Sequence, residues 1–383
     1  MMTNASATSS DLRLATIAGA SVLLSIVSFA LGQAGLVPSG ISTIVVLVGI
    51  SIALRVAWSY AAKSASSPSR EKTMLLISSV GLGISGLSVL VSLPRITQGA
   101  GIQTFLIDVL AQSWTLGILI VAASPVRTLG WRAFAGAGLT GFLAVTALAR
   151  FVGVPVLASL GIANVFGSAI WVPITEELFK IIPVAIVLML ALRRTDSRPS
   201  ALDVMLLGAF TGAGFALYEN AALARGSFSL FTNPIVSLFF PSSGQGRAFY
   251  WPLAQTGHLV HTALIALAVA FYVFYGRTLR RGWIVPLVAI ASVLLEHCSQ
   301  NAIVVGGVDE VVGKVALVLT LGGYLTMLLL IASVAYVMWF EWRIVGGAFD
   351  PITWCLPNAS ERNRRSKRLA RAQTDRAARS ICC

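Results

Sequence analysis

Ten apolar runs long enough, or nearly long enough, to cross a bilayer constrain this chain more than any other feature. A helix rising about 1.5 Å per residue needs roughly 18 to 25 apolar residues to traverse a hydrocarbon core of about 30 Å. Runs at 14–37, 41–62, 73–93, 103–123, 133–149, 171–192, 204–224, 251–275, 283–305 and 315–340 meet or approach that length. Only 11% of the 383 residues are charged, against about 25% in an ordinary soluble domain, so a soluble globular fold is excluded. The expected architecture is all-α, a polytopic integral membrane protein with about ten transmembrane helices. The first thirteen residues lack a basic n-region and a small-residue cleavage site, so no cleaved signal peptide is expected.

The net charge of +13 would suggest a nucleic-acid partner on a soluble protein. Here the basic residues fall between the apolar runs and at the end of the chain, which points to membrane topology and to no nucleic acid. The N-terminus, the loops after the second, fourth, sixth and eighth runs, and the tail hold 21 Lys and Arg, whereas the alternate loops hold 5. The positive-inside bias then puts both termini in the cytoplasm. The tail, 341–383, carries Arg362, Arg364, Arg365, Lys367, Arg368 and Arg371 without apolar periodicity for a core. It is expected to be disordered, solvated or in contact with anionic lipid headgroups. The four cysteines have neither metal-ligand spacing nor a disulfide framework.

The first five runs are almost free of ionisable residues, apart from Arg55 and Asp108, which are expected to pair across helices. The next four hold Glu176, Glu177, Lys180, Glu219, His258, His261, Glu296 and His297, including every histidine in the protein. An Asp, Glu, Lys or Arg near mid-bilayer costs roughly 2.5 to 3.5 kcal/mol on insertion scales, so such a set implies a polar cavity. By helical rise, Glu177 lies roughly 9 Å below Trp171, His258 roughly 10 Å below Trp251, Glu219 about 8 Å from Ala224 and His297 about 12 Å from Val305. Four helices are therefore expected to bring acids and imidazoles to one level. Glu176 and Glu177 precede Lys180 by four and three residues, and His297 shares a face with Asn301.

These groups suit three chemistries. Glu, His and Asn can activate water, hold an oxyanion and protonate a leaving amine in peptide hydrolysis. They can conduct protons or cations, or ligate a divalent metal. No His-Glu-x-x-His occurs, since His258 and His261 have no acid between them.

Four segments together resemble one family. Glu176-Glu177-Leu-Phe-Lys180, Gly214-Phe215-Ala-Leu-Tyr-Glu219-Asn220, Arg247 and Pro252 with His258-Leu-Val-His-Thr262-Ala, and His297-Cys-Ser-Gln-Asn301 resemble, in order, the motifs of the PrsW membrane proteases, relatives of the CAAX prenyl protease and Abi proteins. The resemblance implies a glutamic-type intramembrane endopeptidase in a bacterial plasma membrane. Its substrate would be a single-pass membrane protein such as an anti-sigma factor-like regulator. It implies Glu176 as the base, Glu177 and Lys180 holding it, Glu219 and His258 orienting water, and His297 with Asn301 binding the oxyanion, with no cofactor or metal. The catalytic core is expected at 166–305, after N-terminal helices 1–165 of unknown role and before a last helix at 306–340. A proton- or cation-coupled transporter is the rival reading. Its usual symmetric halves are not matched by polar residues confined to one half of the chain.

Overall fold

The structure, a computed structural model, describes residues 100–149, 153–161, 165–192, 198–223, 247–248, 251–252, 256–276, 281–305, 308–345 and 359–381. Nearly all belong to one unit, Arg95–Val145 with Ala149–Cys383; a second unit comprises Met1–Pro94 and Thr146–Leu148. The apolar runs at 14–37, 41–62 and 73–93 lie outside the described residues.

Among the described residues, ten helices of six or more residues follow one another: α1 (Ala100–Ala123), α2 (Trp131–Thr140, continued by a π-helical turn, Gly141–Val145), α3 (Val154–Ser159), α4 (Val165–Leu192), α5 (Ala201–Leu223), α6 (Gly257–Phe274), α7 (Ile284–Val305), α8 (Val308–Leu319), α9 (Tyr324–Val345) and α10 (Ala359–Ile381). Among the described residues, six segments are long and apolar enough to cross a membrane: 105–126, 131–148, 201–222, 257–274, 284–303 and 324–344. The long helix α4 holds Glu176, Glu177 and Lys180 in its middle. The chain is thus an all-helical polytopic membrane protein.

Three sequence expectations change. The predicted helix 251–275 begins only at Gly257, because Pro252 lacks an N–H and Gly257 takes a left-handed φ of 72°. Trp251–Pro252 instead pairs with Arg247–Ala248 as a short antiparallel ribbon. His258 accordingly lies in the first turn of α6, not two turns in. The predicted span 315–340 is broken at Thr320–Gly323, where Leu321, Gly322 and Gly323 all have positive φ. The 12-residue α8, about 18 Å long, is too short to cross, and α9 is the span. The expected disordered tail contains the helix α10, whose Arg365, Ser366, Leu369 and Ala370 are buried.

Two helices form the centre. α5 is buried on nearly every side and α6 almost as fully, while α1, α2, α7 and α9 leave apolar faces such as Leu110, Trp114, Val288 and Ile331 exposed. Lipid tails are as apolar as leucine, so central helices associate by close packing of small residues. At Gly212 a Cβ would fall on the backbone of His258 and Leu259, and at Gly208 it would meet the Thr262 carbonyl and Ala266. Glycine at these positions brings α5 against the start of α6.

The first turn of α5 is fastened by carboxylates, which complement its exposed N–H groups and positive dipole end. Ser200 Oγ accepts the Asp203 N–H (2.9 Å) and Asp203 Oδ2 accepts the Ser200 N–H (3.3 Å), a reciprocal capping box. Asp203 Oδ2 also receives the N–H and O–H of Thr128 and the N–H of Leu129. From α9, Glu341 Oε1 accepts the Ala201 N–H (2.6 Å) and the Tyr275 hydroxyl at the end of α6 (2.8 Å). The α1–α2 connection, the start of α5 and the ends of α6 and α9 therefore meet at one end of the unit.

Gly212→Ala is expected to force α6 off α5, at a cost of at least the roughly 1 to 3 kcal/mol typical of overpacking. A thermal unfolding midpoint in detergent well below wild type checks this, with Gly136→Ala, where an added Cβ meets nothing within 4 Å, as the unchanged control.

Candidate active site

Four helices contribute side chains to one buried cluster. α4 supplies Glu176, Glu177 and Lys180; α5 supplies Phe215 and Glu219; α6 supplies His258 and His261; α7 supplies Glu296 and His297. At its centre lies Lys180, whose ammonium is 0% exposed. Nζ donates to Glu177 Oε1 (2.8 Å) one turn back on the same helix. It also reaches His258 Nδ1 at 2.7 Å and sits 4.3 Å from the centroid of Phe215, where the ring's negative face favours a cation.

An ammonium has donors only, so His258 Nδ1 accepts and its proton resides on Nε2. Nε2–H then donates to Glu219 Oε2 at 2.6 Å. On α7, His297 Nδ1 donates to Glu177 Oε1 at 3.0 Å, which turns His297 Nε2 toward Glu176, 3.6 Å from its Oε2. Glu177 Oε1 thus receives both a cation and an imidazole.

Glu176 is engaged far less. Its Oε2 is buried without a hydrogen-bond partner, with Lys180 Nζ at 3.9 Å and His297 Nε2 at 3.6 Å. Glu219 and His258 keep some exposure, 28% and 14% of their side chains, whereas Glu177 and His297 are nearly closed off. The cavity therefore opens on the Glu219 and His258 side.

Asn301 bonds to the backbone of α4 and not to the acids among the described residues. Its Nδ2 donates to the Ser168 carbonyl at the start of α4 (3.4 Å), one helical turn beyond His297.

Behind the cluster is a second network that was only partly legible in the sequence. Glu296 Oε1 accepts from Thr256 N (3.3 Å) and Oγ1 (2.8 Å), from Gln300 Nε2 (2.9 Å) and from His261 Nε2 (3.2 Å). His261 Nδ1 has no hydrogen-bond partner and lies 4.0 Å from Glu177 Oε1. The spacing of Glu296 and Gln300, four apart on one helix, was a readable signal; Thr256, just before α6, carried none. Asp108 accepts a hydrogen bond from Asn220, the neighbour of Glu219; its expected pairing with Arg55 falls outside the described residues.

Two groups of donors converge closely enough to hold a metal ion: Glu177, His258, His261 and His297, and Glu176, Glu219 and His258, with ligand atoms in each group within 4.8 Å of one another.

Residues 124–337 match the family model described as PrsW family intramembrane metalloprotease. No curated protein matches the chain, and no solved structure does. The matched segment exceeds half of the 383 residues and contains every member of the cluster. The chain belongs to the PrsW family and is a membrane-embedded protease.

Proposed function

We propose that the protein hydrolyses a peptide bond of a single-pass membrane protein with a water activated by Glu176. The observation that supports this most is the contrast between the paired acids. Glu177 Oε1 is committed to Lys180 and His297 and only its Oε2 is unbonded, whereas Glu176, whose Oε2 is also unbonded, stands farther from both donors and keeps 10% of its side chain exposed against 4% for Glu177. A general base needs an oxygen within reach of water, and a carboxylate already stabilised by a close cation and an imidazole is the weaker one. Glu176 takes the water's proton as the water oxygen attacks the scissile carbonyl carbon. The carbonyl oxygen gains the negative charge beside His297, which as an imidazolium donates from Nε2 while Nδ1 stays on Glu177, with Asn301 as a second donor. Glu176 then delivers the proton to the departing amine as the C–N bond breaks, which returns the carboxylate to its starting state. The Glu219–His258 pair orients the water, and Lys180 keeps Glu177 ionised behind His297.

The glutamic type of chemistry, the relation to CAAX prenyl protease and Abi proteins, a bacterial plasma-membrane setting and an anti-sigma factor-like substrate belong to the same proposal. The transporter reading has no comparable support, since the family is one of proteases.

The family's description includes a metal, and glutamate with histidine is a reasonable zinc donor set. The bonding of these donors does not fit one. In the larger group, Lys180 Nζ already occupies Glu177 Oε1 and His258 Nδ1, and two unit cations about 4 Å apart repel by about 4 kcal/mol at an effective dielectric of 20. In the smaller group, His258 must offer Nε2. That moves its proton to Nδ1, against the Lys180 ammonium. No step is assigned to a metal.

Glu176→Gln is expected to abolish cleavage while lowering the unfolding midpoint less than Glu177→Gln does, because Glu176 Oε2 has no hydrogen bond to lose and only a long ion pair to Lys180. Glu177→Gln is expected to lower activity and also to destabilise, since breaking a buried ion pair costs about 3 to 5 kcal/mol. Paired cleavage assays and thermal melts in detergent separate the two. Full activity in Glu176→Gln would overturn Glu176 as the base. Purified protein is further expected to hold less than stoichiometric zinc and to keep its activity in chelator; loss on chelation with recovery on zinc would overturn the metal-free reading.

A further inference from the structure

At the opposite end from the acids, three arginines gather around the turn between α1 and α2. Arg127 is 2% exposed, and its Nε and Nη1 have no hydrogen-bond partner. The guanidinium lies over the Trp131 ring at 4.4 Å, a contact that satisfies none of its N–H groups in plane. From α10, Arg365 is 6% exposed and donates to the Ser124 carbonyl at 2.9 Å, while Arg362 Nη2 reaches within 4.0 Å of where a Cβ on Gly130 would stand. Burial pulls the Arg127 guanidinium below its ordinary value. Asp203 acts in the other direction, and Arg362 and Arg365 lower it further. Arg127 thus stands beside two further guanidiniums, and of the Asp203 carboxylate that acts on it, Oδ2 is taken by Thr128, Leu129 and Ser200 while Oδ1 makes no hydrogen bond to Arg127.

Buried donors without acceptors are costly, and an oxyanion relieves both the unmet N–H groups and the mutual repulsion. The structure assigns to Arg127, Arg362 and Arg365 an oxyanion site that holds the phosphate of an anionic membrane lipid. Two further observations favour a lipid as the source. The cluster lies where the 105–126 span ends and the 131–148 span begins, the level at which headgroups lie. α10 turns Leu369 and Ala370 inward while Arg364, Lys367, Arg368 and Arg371 remain exposed, and such charges are drawn to an anionic leaflet. A bound headgroup would fasten α10 to the α1–α2 turn through Arg365 and Arg362.

The test is a thermal-shift titration of the full-length protein in detergent with dihexanoyl phosphatidylglycerol. The phosphatidylcholine of the same chain length and inorganic phosphate form the two comparison arms. Phosphatidylglycerol alone is expected to raise the unfolding midpoint saturably, and Arg127→Gln and Arg362→Gln each to weaken that response about tenfold, the loss of one charged hydrogen bond. Arg362 is only half-buried, so its variant reads the site even where Arg127→Gln folds poorly. Arg364→Gln and Lys367→Gln, both exposed, are expected to leave the titration midpoint within about threefold of wild type, because they touch the membrane field and not the site. An equal rise with phosphatidylcholine, or an unchanged titration in Arg362→Gln, would overturn the site. An equal rise with inorganic phosphate would overturn the lipid as its occupant.

Discussion

The buried ammonium of Lys180 is the contact on which the arrangement of the acids and imidazoles depends. A lone cation at such depth is strongly disfavoured, so its presence requires compensation from several directions at once. Glu177 supplies charge, His258 Nδ1 a lone pair and Phe215 a ring face. Those partners come from α4, α6 and α5, and Glu177 passes the constraint to α7 through His297. One side chain thereby sets the tautomer of His258, the orientation of His297 and the engagement of Glu177. What it leaves over is one oxygen of each adjacent glutamate without a hydrogen bond, with Glu176 the more open of the two, beside the partly exposed Glu219–His258 pair.

The positions of those helices depend in turn on packing without a hydrophobic drive. Glycines in α5 admit the backbone of α6 at the level of His258 and Thr262. At the other end, Asp203 and Glu341 draw the first turn of α5 against the α1–α2 connection, α6 and α9. Directional hydrogen bonds fix the rotation of the helices where lipid-facing apolar surface cannot, since one apolar face packs against lipid as well as another.

Much of this was legible in the sequence. The apolar runs from 103 onward correspond to helices because hydropathy over a membrane-length window is a local property with a large energetic consequence. Polar side chains confined to spans six to nine had to face one another, because each is expensive in lipid. The errors fell at boundaries. The start of α6 and the break between α8 and α9 were set by single proline and glycine residues inside apolar stretches. The order of α10 comes from the burial of Leu369 and Ala370 and from Arg365 and Ser366 donating to the Ser124 and Arg198 carbonyls, acceptors some 170 to 240 residues away that no local pattern reveals.

By itself the sequence determined that the chain is a helical membrane protein and which helices hold the reactive groups, because both follow from the cost of placing polar atoms in hydrocarbon. Only the tertiary structure distinguished the bonding of the adjacent glutamates. Glu176 and Glu177 have the same chemistry and neighbouring positions, and they differ in the direction each faces around α4. That direction brings Glu177 Oε1 to hydrogen-bond distance of Lys180 and His297 and holds Glu176 farther from both, a distinction that exists only once the four helices are in contact.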